Sequence, residues 1–286
     1  MFFLFGDFSV CIEQVELLQD LLSDKWQRFA QNNSASENAD VLIVIKTEEI
    51  HKDPSLLNMN DYSLCHDSSG WHAYTNGNRW EVSYYTNGKK LFLLRCNSDK
   101  KTGIVVSEYM NKSSLRLGIQ FSLMIGLHRE CVGLHGVTLL CRDRIFILSA
   151  PSGTGKSTLA SLLERYEEAL VINGDFALLS YSDEGVMFEP TPFCGSSNRC
   201  LNHRVRVDCV VFLEQSETNE WKRLSGRQAF IHFMNNVFVP SWSREMAYVT
   251  EKNVIELISR LTVSQYAFAP FREAAEVFAY QLEKES

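Results

Sequence analysis

Between Ile145 and Leu159 the chain reads Ile-Phe-Ile-Leu-Ser-Ala-Pro-Ser-Gly-Thr-Gly-Lys-Ser-Thr-Leu. An apolar run of buried-strand type leads into a glycine-rich turn, and the turn opens an amphipathic stretch with helical spacing. That order is the context a phosphate-binding loop requires. Backbone N–H groups of Ser152, Gly153, Thr154 and Gly155 could converge on phosphate oxygens, because Gly153 and Gly155 carry no side chain to keep an anion away. The start of the following helix adds its partial positive charge. In this arrangement Lys156 meets the outer phosphates, while Ser157 supplies a hydroxyl for Mg²⁺ and Thr158 completes the motif. Ala150 stands where the motif usually begins with glycine.

A phosphate-binding loop does not name a reaction. Phosphoryl transfer to a hydroxyl needs an acid that holds Mg²⁺ or takes the acceptor's proton. Two acids follow strand-like runs: Asp175, after Ala169–Ile172 and the turn Asn173-Gly174, and Glu214, after Val210–Leu213. A conventional nucleotide hydrolase would favour Glu214. It runs straight into the polar stretch 215–220, however, where a solvated acid needs no further explanation, so Asp175 is preferred. His135 precedes the strand pair that leads to the loop and is a third candidate, although a single histidine is more often structural.

The elements that must position these groups follow from hydrophobic period and turn chemistry. Gly136–Cys141 and Ile145–Ala150 read as a hairpin across Arg142-Asp143-Arg144. A helix fits Lys156–Tyr166, strands fit Ala169–Ile172 and Val207–Leu213, and helices fit Arg227–Val237, Val254–Leu261 and Glu273–Glu283. Ser113-Ser114 could cap a helix carrying Leu115, Ile119 and Leu123. The front of the chain differs. Met1–Phe5 and Val41–Ile45 read as strands, a helical pattern spans Val15–Trp26, and 31–38 is a polar loop. Asn-Gly pairs at Thr75–Gly77 and Thr86–Gly88 are hairpin turns between strand-like runs rich in Trp and Tyr. Residues 1–110 are therefore expected to form a small, mostly antiparallel β domain of unassigned role, and 111–286 an α/β domain carrying the loop.

The 286 residues carry a net charge of −7 and are 45% hydrophobic. This composition excludes disordered and collagen-like chains. The acidic balance argues against a polynucleotide partner held by bulk charge, but not against a nucleotide held by local geometry. None of the 8 cysteines forms a Cys-x-x-Cys pair, and several lie in apolar runs, as expected of a reduced, cytoplasmic protein. No run of about 18 apolar residues is present to span a membrane.

His135-Gly-Val, the hairpin, the loop, a strand and Asp175-Phe-Ala-Leu-Leu together resemble, in this order, the catalytic domain of the HPr kinase/phosphorylase family. The downstream stretches Thr191-Pro-Phe-Cys-Gly195, Phe212-Leu-Glu214 and Arg223-Leu-Ser225 are similar to the HPr-kinase-related proteins associated with ribosomal peptide and lasso peptide modification. The likeness covers roughly 113–270. It implies a phosphoenolpyruvate-carboxykinase-like P-loop core and an ATP/Mg²⁺-dependent kinase acting on a serine of a precursor peptide or protein. By position, Lys156 and residues 152–158 hold nucleotide, Ser157 and Asp175 the metal, and Asp175 and His135 the reacting groups. Arg199 is ranked first among Arg199, Arg204 and Arg206 as the cation over developing charge. Gly174-Asp175 replaces the family's Asp-Asp pair, and Thr158 replaces a glutamate. The signature tied to HPr handling is not recognisable. A nucleotide-binding regulator or a small-molecule alcohol kinase are the alternatives, and homo-oligomerisation and the choice of ATP or GTP stay open.

Overall fold

The computed structural model describes residues 2–13, 24–31, 39–47, 63–68, 70–75, 79–97, 101–106 and 111–285. Most of the helical pattern at Val15–Trp26, most of the polar loop, the Asn76-Gly77 turn and the stretch 107–110 lie outside them. The fold is mixed α/β and divides into two units, Met1–Arg129 with Pro240–Val249, and Glu130–Val239 with Thr250–Ser286.

The first unit contains β1 (Phe2–Phe5), β2 (Phe8–Glu13), α1 (Asp24–Gln27), β3 (Ala30–Gln31), β4 (Val41–Thr47), β5 (Ser63–Ser68), β6 (Trp71–Thr75), β7 (Arg79–Thr86), β8 (Lys89–Asn97), β9 (Lys101–Val106) and α2 (Lys112–Gly126). Its strands form one sheet in the order β3-β1-β2-β4-β9-β8-β7-β6-β5. Most pairings are antiparallel, as the hairpin signals predict, but β4 runs parallel to both β2 and β9. Asn87 and Gly88 turn β7 into β8 with φ of 52° and 73°, the positive angles that an Asn-Gly turn favours.

Helix α2 groups with this unit rather than with the α/β domain expected to begin at 111. Its apolar stripe, Leu115, Ile119 and Leu123, is buried, and a Cβ added to Gly126 would fall 2.7 Å from Val41 Cγ1 of β4. The cap is Asn111 rather than Ser113 or Ser114: the Asn111 side chain accepts the Ser114 N–H at 2.9 Å. Asn111 is the residue still in extended backbone, which is what an N-cap requires.

The second unit contains β10 (Val132–Cys141), β11 (Arg144–Ser149), α3 (Lys156–Tyr166), β12 (Leu170–Asn173), β13 (Phe176–Ser182), β14 (Gly185–Glu189), β15 (Val205–Arg206), β16 (Cys209–Gln215), β17 (Glu220–Arg223), α4 (Gly226–Met234), most of α5 (Arg244–Arg260), β18 (Thr262–Phe268) and α6 (Arg272–Lys284). The sheet order is β15-β14-β13-β10-β11-β16-β18-β17, with β12 also paired to β10. The expected hairpin is present, and its turn residues Arg142 and Asp143 both take positive φ. Strands β13, β14, β17 and β18 did not announce themselves in the sequence. Nor did the first turns of α5, which begins ten residues before its apolar pattern becomes regular.

Side chains alternate across this sheet. One face buries Val137, Leu148, Val211, Leu213 and Phe268 against Leu159 and Leu163 of α3 and Phe278 of α6. The other buries Leu134, Ile147, Val210, Phe212 and Val263 against Ala229 and Phe233 of α4 and Val254 and Leu257 of α5. Seven cysteines, Cys11, Cys96, Cys131, Cys141, Cys194, Cys200 and Cys209, are free and buried. Burial pushes the Cys96 thiol up to about 12, so it behaves as a small apolar group. No helix among the described residues is long and apolar enough to cross a membrane.

Candidate phosphate-binding and acid site

The glycine-rich loop leaves the sheet at the end of β11 and enters α3. Gly153 and Gly155 have φ of 84° and 110°, which side chains with a Cβ rarely adopt. A Cβ at Gly153 would meet nothing within 4 Å, so this side of the loop is open, whereas one at Gly155 would come 3.0 Å from Phe268 Cζ. The first glycine keeps the concave side clear, and the second lets the helix start pack on β18. Gly155 is the N-cap of α3 and makes no side-chain capping bond, so the first N–H groups of the helix are left to an anion. Thr154 closes the turn through its hydroxyl, which donates to Pro151 O at 3.0 Å. Ser152, Ser157 and Thr158 are exposed, and Thr154 is half-buried.

Lys156 folds back over the loop. Its Nζ donates to Ala150 O at 2.6 Å and Pro151 O at 3.1 Å. Burial lowers its pKa, and the Asp175 carboxylate pulls in the opposite direction.

Asp175 lies in the turn between β12 and β13. The Asn173 carboxamide oxygen accepts the backbone N–H of both Asp175 and Phe176 at 3.1 Å, which makes the turn an Asx-type bend. The Asp175 carbonyl accepts Gly136 N–H at 3.0 Å, tying the turn to β10. His135, next to Gly136, shares the sheet face of Val137 and thus of α3. Its Nε2 stands 3.6 Å from Asp175 Oδ1, with the two side chains 41% and 46% exposed, so both can be reached from solvent. His135 is held by its backbone: its N–H donates to Asn236 O, and its carbonyl accepts the Ser149 hydroxyl at 2.8 Å. His135, Lys156 and Asp175 therefore converge beside the loop, from three segments that are far apart in sequence.

Three other candidates, Arg199, Arg204 and Glu214, are held elsewhere. Arg199 ion-pairs with Glu164 of α3, eight residues or about 12 Å along the helix from Lys156. Arg204 pairs at 2.9 Å with Glu189, which is fully buried and also accepts the Ser180 hydroxyl. Glu214 is the penultimate residue of β16, which runs parallel to β11 with Ser149 opposite Phe212. It leaves the sheet one strand over from the loop, but on the α4 face shared with Phe212. There its carboxylate is bonded by the Gln265 amide and acts electrostatically on His232. Neighbouring Gln215 donates to Gly153 O at 3.2 Å, a support for the loop that no sequence pattern signals. No sequence pattern marks Asn173 or Glu189 either, because a buried polar side chain is recognisable only once its partners are known.

Among the described residues no cluster of three or more His, Cys, Asp or Glu could hold a metal by itself. One carboxylate and one hydroxyl, Asp175 and Ser157, are nevertheless a donor set that suits Mg²⁺, which keeps several waters and takes remaining ligands from phosphates.

Comparison with known proteins found no matching family model and no matching curated protein. Among solved structures, the chain is similar to an HPr(Ser) kinase/phosphatase from Coxiella burnetii, with 7% identity over 53% of this chain and 88% of that one, at a TM-score of 0.33.

Proposed function

We propose that the chain is an ATP-dependent kinase that phosphorylates a hydroxyl, most simply a serine of a peptide or protein. One observation carries this reading: a glycine-rich loop with positive φ at Gly153 and Gly155 opens α3 at Lys156, and the half-exposed Asp175 stands 3.6 Å from His135 Nε2 on the strand that pairs with the one leading into the loop. The loop's N–H groups and the start of α3 hold the β- and γ-phosphates, and Lys156 turns from the loop carbonyls toward them. Asp175 takes the proton of the acceptor hydroxyl as its oxygen bonds to the γ-phosphorus. The bond from that phosphorus to the bridging oxygen breaks, and ADP leaves with the electron pair. His135, 3.6 Å from Asp175 Oδ1, keeps the carboxylate oriented. Mg²⁺, held by Ser157 with Asp175 nearby, would neutralise phosphate charge. This core is read as phosphoenolpyruvate-carboxykinase-like, and the buried free thiols suit a reducing, cytoplasmic setting.

Incubating the full chain with γ-labelled ATP, Mg²⁺ and synthetic peptides ending in serine tests the proposal. Label on the peptide hydroxyl is the expected result. Label on small alcohols alone would move the assignment to a metabolite kinase. Tight ATP binding with no transfer to peptide, alcohol or water would make the chain a nucleotide-responsive regulator.

A further inference from the structure

The segment after β14 folds over the turn that carries Asp175, and the two interlock through glycines. Gly174 has no positive φ, so it is not there for backbone freedom; it is there for space. A Cβ at this position would sit 2.1 Å from Ser197 Oγ, 2.6 Å from Ser197 Cβ and 3.2 Å from Cys194 O. Rotating the hydroxyl away would not relieve the overlap, since Ser197 Cβ is itself too close. Gly195 meets the turn from the other side: its φ is +56°, and a Cβ there would lie 3.0 Å from Asp175 Cβ and 3.1 Å from its carboxyl carbon. Ser197 is fixed in turn, with its hydroxyl donating to Cys194 O at 2.7 Å and accepting Arg199 N–H at 3.2 Å. Both ends of the segment are pinned to β12, by the Asn173 amide on Thr191 O and by Leu201 N–H on Ile172 O.

We infer that Thr191–Leu201 is a rigid wall that sets the position of Asp175, with Gly174, Gly195 and Ser197 as positioning residues. The Ser197 side chain fills the space a side chain at 174 would need, so the turn presents a single acid. Substituting Gly174 pushes wall and turn apart and shifts the carboxylate, while the loop that holds ATP is untouched. This inference rests on the kinase reading, and it makes the two positions 174 and 197 interdependent.

The test uses the full chain, with Mg²⁺-ATP as ligand and water as acceptor, reading phosphate release, ATP affinity and thermal midpoint. Gly174→Ala is expected to lower turnover by about 10-fold to 100-fold, the scale of an ångström-sized misplacement, with ATP affinity within about twofold. Adding Ser197→Gly in that background opens the space and should restore turnover to within about threefold, a non-additivity that a bystander pair would not show. Wild-type turnover in Gly174→Ala would overturn the inference. So would a double variant that recovers its thermal midpoint but not its turnover, since the contact would then be purely structural. Asp175→Asn in the same series separates the two levels. If it matches the unsubstituted chain, the kinase reading fails and the positioning role with it; if it is inactive while Gly174→Ala is not, only the wall is wrong.

Discussion

Asp175 and Glu214 look alike in the linear chain, each an acid just beyond a short apolar strand, and folding separates them completely. The turn at Asp175 lies on the sheet face covered by α3, beside the loop lysine and His135. Glu214 emerges from the neighbouring parallel strand on the face covered by α4, where the Gln265 amide and His232 occupy its surroundings. The difference comes from side-chain alternation. Leu213 enters the α3 core, so Phe212 and Glu214 must face the other way. An acid at a strand end is therefore not a site in itself; the face it leaves from decides which chemistry it can join.

The sharpest way to break this contrast is Asp175→Asn, which removes the proposed general base while keeping its size. Phosphate release from ATP should fall by about 10³-fold with ATP affinity retained. Lys156→Ala comes next. It deletes the charge proposed to meet the phosphates, and steady-state kinetics should show a loss of about 10²-fold. Glu214→Gln should leave turnover within about threefold, because an exposed, solvated carboxylate contributes little. A loss rivalling that of Asp175→Asn would invert the assignment of the two acids.

The smallest effect concerns pH and the α4 face. Burial lowers the His232 pKa, opposed by Glu214. The unfolded chain therefore binds the proton first as pH drops, and the native contribution, present above the ordinary histidine range, is lost as pH falls through it. Chemical denaturation between pH 8 and pH 5 should show a decline in stability that is shallower in His232→Gln. A steeper decline in Glu214→Gln would confirm that this carboxylate serves His232 rather than the loop.

Local patterns were legible wherever a residue type has one conformational use. The Asn87-Gly88 turn, the loop glycines and the amphipathic α3 all stand where their chemistry requires. Strands β13 and β14 were missed because Phe176-Ala-Leu-Leu179 and Val186-Met-Phe188 are short continuous apolar runs without the alternation that marks a half-buried strand. The extent of α2's unit was missed for a related reason. Its stripe declares that something must cover it, but only the contact of Gly126 with Val41 shows that the cover is the first sheet.

From the sequence alone, the chain contains a glycine-rich turn between a strand and a helix, with a lysine placed to meet phosphate, because those steric and dipolar properties are local. Tertiary structure decided which acid and which histidine join that lysine, that Arg199 is occupied by Glu164, and that Gly174 exists to admit Ser197. Those outcomes depend on the sheet order and on which face each strand presents, and both are set by packing between segments that are distant in the chain.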